Sequence, residues 1–351
     1  MTAKIPVIDI SDWFSDDQLA GRKLAERVGL ACHEKGFFYV KNHGINEHEC
    51  QRYMQALKAF FALPISTKQS IDKHHSRQFR GWEQLGSELT NNITDYREQL
   101  DIGVDSEAII SPDPYFLALV GPNQWLPEEI LPGFRTIVVD FQRKLSRLSV
   151  CLLEMMSVAL GLDTQHINRV FGKRPSPYSK LIRYPITKPN SQGVGIHKDS
   201  GFLTLLLQDD TPGLKAQATD GSWYEVEPIA GSFVVNIGEL LQLMSGNYFV
   251  AAPHCVSNAG RVTRYSSAFF YSPDLTTRLE PLPISDEKRD QVAMSEAHRN
   301  AGLMASKTEM EQGVGSMNSL QNPTVFGEKY WQRWVRSYPD IAARFYPDNI
   351  I

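Results

Sequence analysis

No run of about 18 apolar residues occurs in this 351-residue chain, and no basic segment followed by a long apolar stretch opens it, so neither a membrane-crossing helix nor a secretory leader is expected. Cysteine is scarce. Cys32, Cys50, Cys151 and Cys255 stand apart with no CxxC pair, which argues against a zinc ribbon or a disulfide framework and for reduced thiols. An excess of basic charge is also missing: a net charge of −4 and a pI near 6.2 offer no attractive field to nucleic acid or an anionic membrane. Internal repeats and low-complexity tracts are absent, which removes solenoids and fibrous assemblies. These absences leave a cytoplasmic protein, a monomer or weak homo-oligomer, with no nucleic-acid or membrane partner.

What is present is an ordinary globular balance, 42% hydrophobic and 22% charged residues. Ile5–Ile10 reads as a short strand. Asp17–Lys35 places Leu19, Leu24, Val28 and Leu30 at helical spacing and stops at Gly36. Phe37–Val40 is a second strand and Glu47–Phe61 a second helix halted by Pro64, after which residues 66–98 turn polar and irregular around Arg80, Gly81 and Trp82. Pro132–Leu162 carries the longest helical pattern, with Ile137, Val138, Phe141, Leu145, Leu148 and Leu152 forming one stripe for packing on a sheet.

Beyond Pro177 the period shortens to β-rich runs at Leu181–Pro185, Phe202–Leu207, Ser222–Val226, Ser232–Ile237, Cys255–Ser257 and Tyr265–Tyr271. Turns such as Asp210–Gly213 and Thr219–Gly221 separate them. Short, evenly spaced strands predict two packed sheets, a jelly roll with an open mouth. The expected class is mainly β with helices (α+β). Its parts are a mixed α/β region over 1–120, packing helices over 121–175, the jelly-roll core over 176–280 and a C-terminal flap and helix over 281–351, all one integrated unit. Residues 285–322, polar and dotted with Met294, Met304, Met310 and Met317, read as the flap, and Trp331–Phe345 as a single closing helix.

His197-Lys198-Asp199 opens the densest strand run, and in an extended segment residues i and i+2 project from one face, so an imidazole and a carboxylate can converge on one ion. Such a pair also arises by chance. His254, 57 residues on and at another strand edge, strengthens the reading, because a jelly roll can bring the two edges together. Two histidines and a carboxylate leave half of an octahedron open, which suits Fe(II) binding a chelating ligand and O2. A structural zinc site would take four ligands, often thiolates, and Cys255 is expected on the opposite strand face from His254. Lys198 reads as a solvated strand residue. The remaining histidines, His33, His43, His48, His74, His75, His166 and His298, have no matching carboxylate and read as surface or capping residues.

Ten residues after His254, Arg264 and Ser266 share one strand face by the same alternation and offer a guanidinium fork and a hydroxyl to a carboxylate. With Ile5–Asp9 (IPVID), Gly36–Gly44 (GFFYVKNHG), Phe60–Pro64 (FFALP), Gly195–Leu206 (GIHKDSGFLTLL), Gln208–Leu214 (QDDTPGL) and Val235–Gly238 (VNIG), these residues make the chain resemble the isopenicillin N synthase-like branch of 2-oxoglutarate/Fe(II)-dependent dioxygenases over nearly its whole length. The resemblance implies a double-stranded β-helix core and iron on His197, Asp199 and His254. It also implies 2-oxoglutarate with its distal carboxylate on Arg264, Ser266 and Tyr184, O2 as oxidant and ascorbate as an accessory reductant. The implied reaction couples decarboxylation of 2-oxoglutarate to succinate with hydroxylation, desaturation or cyclisation of a small-molecule metabolite.

Two positions depart from the family: Ile182 stands where many plant members have Asn, and Cys255 where Arg commonly follows the distal histidine. Substrate contacts are expected from Phe270, Arg80 and Trp82, and Asp101 falls in a stretch shared with microbial members without an assigned role. Two alternatives stay open at this point. One is a 2-oxoglutarate-independent oxidase like isopenicillin N synthase, disfavoured by a C-terminus without its glutamine. The other is a jelly-roll module that binds a metal or carboxylate without turnover.

Overall fold

The computed structural model describes residues 5–187, 191–257, 262–299 and 324–349. In chain order the strands are β1 Val7–Asp9, β2 Phe37–Lys41, β3 Gly81–Glu83, β4 Leu89–Thr90, β5 Ile93–Thr94, β6 Glu98–Ile102, β7 Tyr178–Tyr184 and β8 Gln192–His197. They continue as β9 Leu203–Gln208, β10 Leu214–Gln217, β11 Trp223–Glu225, β12 Phe233–Ile237, β13 His254–Ser257, β14 Arg264–Tyr271, β15 Arg278–Leu279 and β16 Thr324–Val325. Eight of them form a major sheet in the order β1-β2-β12-β9-β14-β7-β6-β3, and four form a minor sheet, β11-β10-β13-β8. The two sheets face each other as the jelly-roll expectation requires.

Alternation sorts the major sheet into two faces. Ser267, Leu181, Leu100 and Trp82 are cross-strand neighbours on one face, and Ala268, Lys180, Asp101 and Gly81 on the other. The first face is apolar and lies under helices: Tyr53, from the helix Glu47–Ala62, hydrogen-bonds Ser267 Oγ at 2.8 Å and stacks at 4.0 Å on Phe141 of the long helix Phe134–Ala159. That helix buries Val138, Phe141, Leu145, Leu148 and Leu152, as its stripe predicts. Helix ends follow local chemistry. Asp17 caps Gln18–Glu34 through Leu19 and Ala20 N–H, and Asn46 with Glu49 forms a capping box. Gly36 ends the first helix at φ +66°, where a Cβ would lie 2.1 Å from the Val250 carbonyl oxygen.

The structure differs from the sequence expectation in four places. β8 and β10 escape the strand pattern, because their Gly193, Gly195, Lys215 and Gln217 weaken the hydrophobic alternation. The stretch 66–98 is less irregular than it reads: β3 and the start of β6 lie in it and extend the major sheet, their pattern hidden by inward-facing acids. The C-terminal helix is two, Phe326–Ser337 and Pro339–Phe345, because Pro339 cannot continue the first. Of the expected flap, 286–294 and 296–299 are short helices, and Met304, Met310 and Met317 lie outside the described residues. Among the described residues no helix is long and apolar enough to cross a membrane.

Candidate active site

His197 is the last residue of β8 and His254 the first of β13, and the two are direct partners across the antiparallel pair. Their rings therefore meet, with centroids 4.2 Å apart. Asp199 lies beyond the end of β8, so the convergence comes from a strand end and the turn after it, and the shared strand face expected for His197 and Asp199 is corrected. Asp199 Oδ1 is 3.8 Å from Nε2 of each histidine, and the three donor atoms lie within 4.8 Å of one another.

Hydrogen bonds behind these atoms fix their states. His197 Nδ1 is 2.8 Å from the Gly195 carbonyl and His254 Nδ1 3.1 Å from the Ala252 carbonyl. A carbonyl only accepts, so both Nδ1 atoms carry the proton and both Nε2 lone pairs face Asp199. Asp199 Oδ2 accepts from Thr204 Oγ1 at 2.5 Å and Asn236 Nδ2 at 2.7 Å, which leaves Oδ1 directed at the histidines. Desolvation, then the adjacent His254, push His197 well below the ordinary imidazole range, which keeps it a neutral donor. Desolvation would raise Asp199, but His254, His197, Thr204 and Asn236 outweigh it and hold the carboxyl below its usual value. The loop cannot shift easily: a Cβ on Gly238 would lie 2.1 Å from the Gly201 carbonyl oxygen.

This donor set fits a divalent iron. It offers two neutral imidazoles and one ionised oxygen on one side, each oriented by an outer hydrogen bond, and among the described residues no fourth ligand of a closed zinc site joins them. Cys255 alternates away from His254 and pairs with Lys215 of β10, as expected.

Arg264 and Ser266 lie on the inner face of β14, with Tyr184 opposite Arg264 on β7. The guanidinium is 1% exposed, donates to Gln208 Oε1 at 2.8 Å and Ser266 Oγ at 3.2 Å, and lies 5.0 Å from the Tyr184 ring centroid. Its Nε has no hydrogen-bond partner, and among the described residues no carboxylate comes within ion-pair distance. Burial pulls its pKa below the ordinary value. A buried guanidinium without an anion is unfavourable, and a ligand carboxylate corrects it. Gly213, at φ +145°, lets the minor sheet approach, with its would-be Cβ 3.5 Å from Arg264 Cδ.

Of the residues expected at the substrate, Phe270 is half-buried on the inner face, across β9 from Thr204. Arg80 is not brought there: its guanidinium is wrapped by the carbonyls of Val104, Gly121 and Leu119 at 2.6–3.0 Å. Trp82 faces the helical layer and donates to Glu98 at 2.8 Å. The alternation of the edge strand Gly81–Glu83 turns Trp82 away, and loop carbonyls capture Arg80 just before it. Thr204, Asn236 and Gln208 stand beside these groups and lie within the motifs GIHKDSGFLTLL, VNIG and QDDTPGL, which assign them no role, although an Asn inside Phe233–Ile237 is a polar residue in an otherwise apolar buried strand.

Comparison with known proteins shows the family. Residues 5–128 match the family described as non-haem dioxygenase in morphine synthesis N-terminal, and residues 176–273 the 2OG-Fe(II) oxygenase superfamily. A 2-oxoglutarate-dependent dioxygenase of Dothideomycetidae sp. (strain 11243) is 30% identical over 328 residues, covering 90% of this chain and 85% of that protein. A homoarginine-6-hydroxylase of Arabidopsis thaliana is 31% identical over 303 residues, 83% of this chain and 84% of its own. A full-length Neurospora crassa protein, solved in complex with alpha-KG and thymine, superposes with a TM-score of 0.71 at 24% identity, covering 81% of this chain and 91% of its own.

Proposed function

Belonging to the 2-oxoglutarate/Fe(II)-dependent oxygenase family, the chain is an oxidoreductase that couples decarboxylation of 2-oxoglutarate to succinate with oxidation of a small molecule, and we propose that His197, Asp199 and His254 hold its iron. We assign the distal carboxylate of 2-oxoglutarate to Arg264, Ser266 and Tyr184. The observation that supports both assignments is the pairing of an open three-donor face with a buried guanidinium whose Nε is unpaired and which has no carboxylate within ion-pair distance among the described residues. Neither the 2-oxoglutarate-independent oxidase nor the non-catalytic module is favoured, since both the matching superfamily and the Dothideomycetidae relative are described as 2-oxoglutarate oxygenases.

The chemistry that iron supplies when bound is O2 activation coupled to cosubstrate decarboxylation. The chain supplies orientation. Gly195 and Ala252 carbonyls hold the imidazoles as Nε2 donors, and Thr204 and Asn236 keep Asp199 Oδ1 facing inward. The Arg264 fork and the Ser266 hydroxyl set the angle of the cosubstrate carboxylate. Phe37, packed edge-on at 5.3 Å against His254, excludes water from one side of the site. Phe270 is our candidate for the substrate side.

We further propose that the segments 1–120, 121–175, 176–280 and 281–351 work as one catalytic unit, because β1, β2, β3 and β6 complete the sheet that carries Arg264. A cytoplasmic monomer or weak homo-oligomer without nucleic-acid or membrane partners remains our reading of the charge and composition. The test is Fe(II)-dependent succinate formation from 2-oxoglutarate by wild type and by His197→Ala, Asp199→Ala and His254→Ala. Each variant should fall to background, and turnover that survives any one of them removes that residue from the ligand set.

A further inference from the structure

A second polar assembly occupies the inner face of the major sheet. Alternation along β6 puts Gln99 and Asp101 on the face that carries Ser266 and Tyr184, with Glu83 of β3 beside Gln99 and Lys180 of β7 beside Asp101. Lys73 enters from the turn before β3. Its ammonium pairs with Glu83, with Asp101 Oδ2 at 2.5 Å and with the Tyr338 hydroxyl at 2.6 Å. Lys180 reaches Glu88 at 2.9 Å and Asp101 at 3.3 Å, while Arg97 pairs with Glu88 and lies 3.4 Å from Asp95.

Two observations set this assembly apart from a closed structural network. Four carboxylates, Glu83, Glu88, Asp95 and Asp101, face three cations, Lys73, Lys180 and Arg97, so the acids outnumber the bases by one, while burial pushes the Glu83 carboxyl up. In addition, Asp101 Oδ1 and Gln99 Oε1 accept no hydrogen bond among the described residues, although Asp101 and Gln99 are each 1% exposed. The Gln99 amide orientation is set by its nitrogen, which donates to Glu83, to Glu88 at 2.9 Å and to Asp101 at 3.4 Å. The Tyr178 hydroxyl lies between Asp101, with which it interacts, and the Phe79 carbonyl, 3.5 Å away. Buried acceptors without donors are unfavourable and call for one. The carboxylates of Glu83, Glu88 and Asp101 are close enough for a metal, but the Lys73 ammonium already lies among them, so the site suits nitrogen cations.

Strand pairing links the assembly to the proposed iron site. Thr204, bonded to Asp199, is cross-strand neighbour of Phe270, and Phe270 of Tyr178. The C-terminal helices roof both ends: Arg333 donates to Ser200, next to Asp199, at 2.7 Å, and Tyr338 reaches Glu88 at 2.5 Å. We propose that Asp101 and Gln99 form the recognition subsite for the primary substrate, which presents a protonated amine or guanidinium to Asp101 Oδ1 and Gln99 Oε1. This rests on the iron reading above. From β6 to β9 is three strand spacings, about 14 Å, so the substrate carries a chain of several carbons between its cationic head and the carbon that is oxidised. Phe270 and Tyr178 flank that chain.

The test uses the anaerobic Fe(II) and 2-oxoglutarate complex of the full chain and probe pairs that differ in side-chain charge at matched size, L-arginine against L-citrulline and L-lysine against L-2-aminoheptanoate. Perturbation of the visible band of the complex reads binding. Each cation should half-saturate at a concentration about tenfold or more below its neutral partner, and Asp101→Asn should remove that preference. Equal or weaker response to the cations, no response to any probe, or a preference that survives Asp101→Asn overturns the proposal. Should Asp101→Asn fail to fold, the wild-type pairs decide alone. Absence of the band before any probe is added marks failure of the iron reading instead.

Discussion

Replacing Arg264 by methionine keeps the volume of the buried stem and removes the fork. In the structure the guanidinium holds Ser266 and Gln208 and, among the described residues, has no carboxylate within ion-pair distance, Asp209 acting on it only from farther off, so on the proposed assignment the cosubstrate carboxylate is its direct counter-charge. Truncating one member of a buried, hydrogen-bonded charge pair costs about 2–5 kcal/mol, which corresponds to a rise of roughly 30-fold to several thousandfold in the 2-oxoglutarate needed for half-maximal turnover. Arg264→Lys keeps the charge without the planar pair of donors and should fall between, about tenfold above wild type. The assay is succinate release at saturating Fe(II) over a range of 2-oxoglutarate concentrations. A half-saturation point unchanged in Arg264→Met, or a lower maximal rate with the same 2-oxoglutarate requirement, would refute the assignment of this side chain to the cosubstrate.

Thr204→Val and Asn236→Ala each remove one of the two donors to Asp199 Oδ2, and the double variant should weaken iron about 10- to 100-fold in an Fe(II) titration; unchanged affinity would show that Asp199 orients itself. Gly238→Ala forces the Gly201 carbonyl away and should lower iron affinity more than it lowers the melting temperature, and the reverse order would place the strain elsewhere. Burial lowers His74, but Asp72 and Asp340 outweigh it and raise its pKa above the ordinary value. The pairing is therefore fully present below about pH 6.5 and lost as pH rises through the higher folded-state value. At this half-exposed site it is worth at most about 1 kcal/mol. Wild type should melt above His74→Gln at about pH 5.5 and alongside it by about pH 8.5, whereas a gap that grows with pH contradicts the pairing.

The proposed iron ligands are legible in the sequence because His197 and His254 stand at strand ends and Asp199 just beyond one, in short motifs, and strand order then makes His197 and His254 cross-strand partners. Arg264 and Ser266 are legible for the same reason, since alternation on one strand needs no tertiary knowledge. The supporting residues are not. Thr204 and Asn236 matter only because β9 and β12 are neighbours, a pairing of residues about thirty apart that no local pattern states. Arg80 and Trp82 mislead as substrate contacts because nearness to a polar stretch in sequence is not nearness to the site in space. Their strand alternation sends Trp82 to the helices, and the loop carbonyls capture Arg80. The Lys73, Glu83, Glu88 and Asp101 assembly is hidden most completely, because its charges come from four separate segments and resemble an ordinary solvated surface when read one at a time.

The measurement that tests the central claim most directly is anaerobic addition of Fe(II) and then 2-oxoglutarate to the purified apoprotein, followed by visible absorption. A charge-transfer band that forms with wild type, weakens in Arg264→Ala and is lost in His197→Ala is the predicted result. Iron binding without a band would contradict the cosubstrate assignment, and no iron binding at all would contradict the triad.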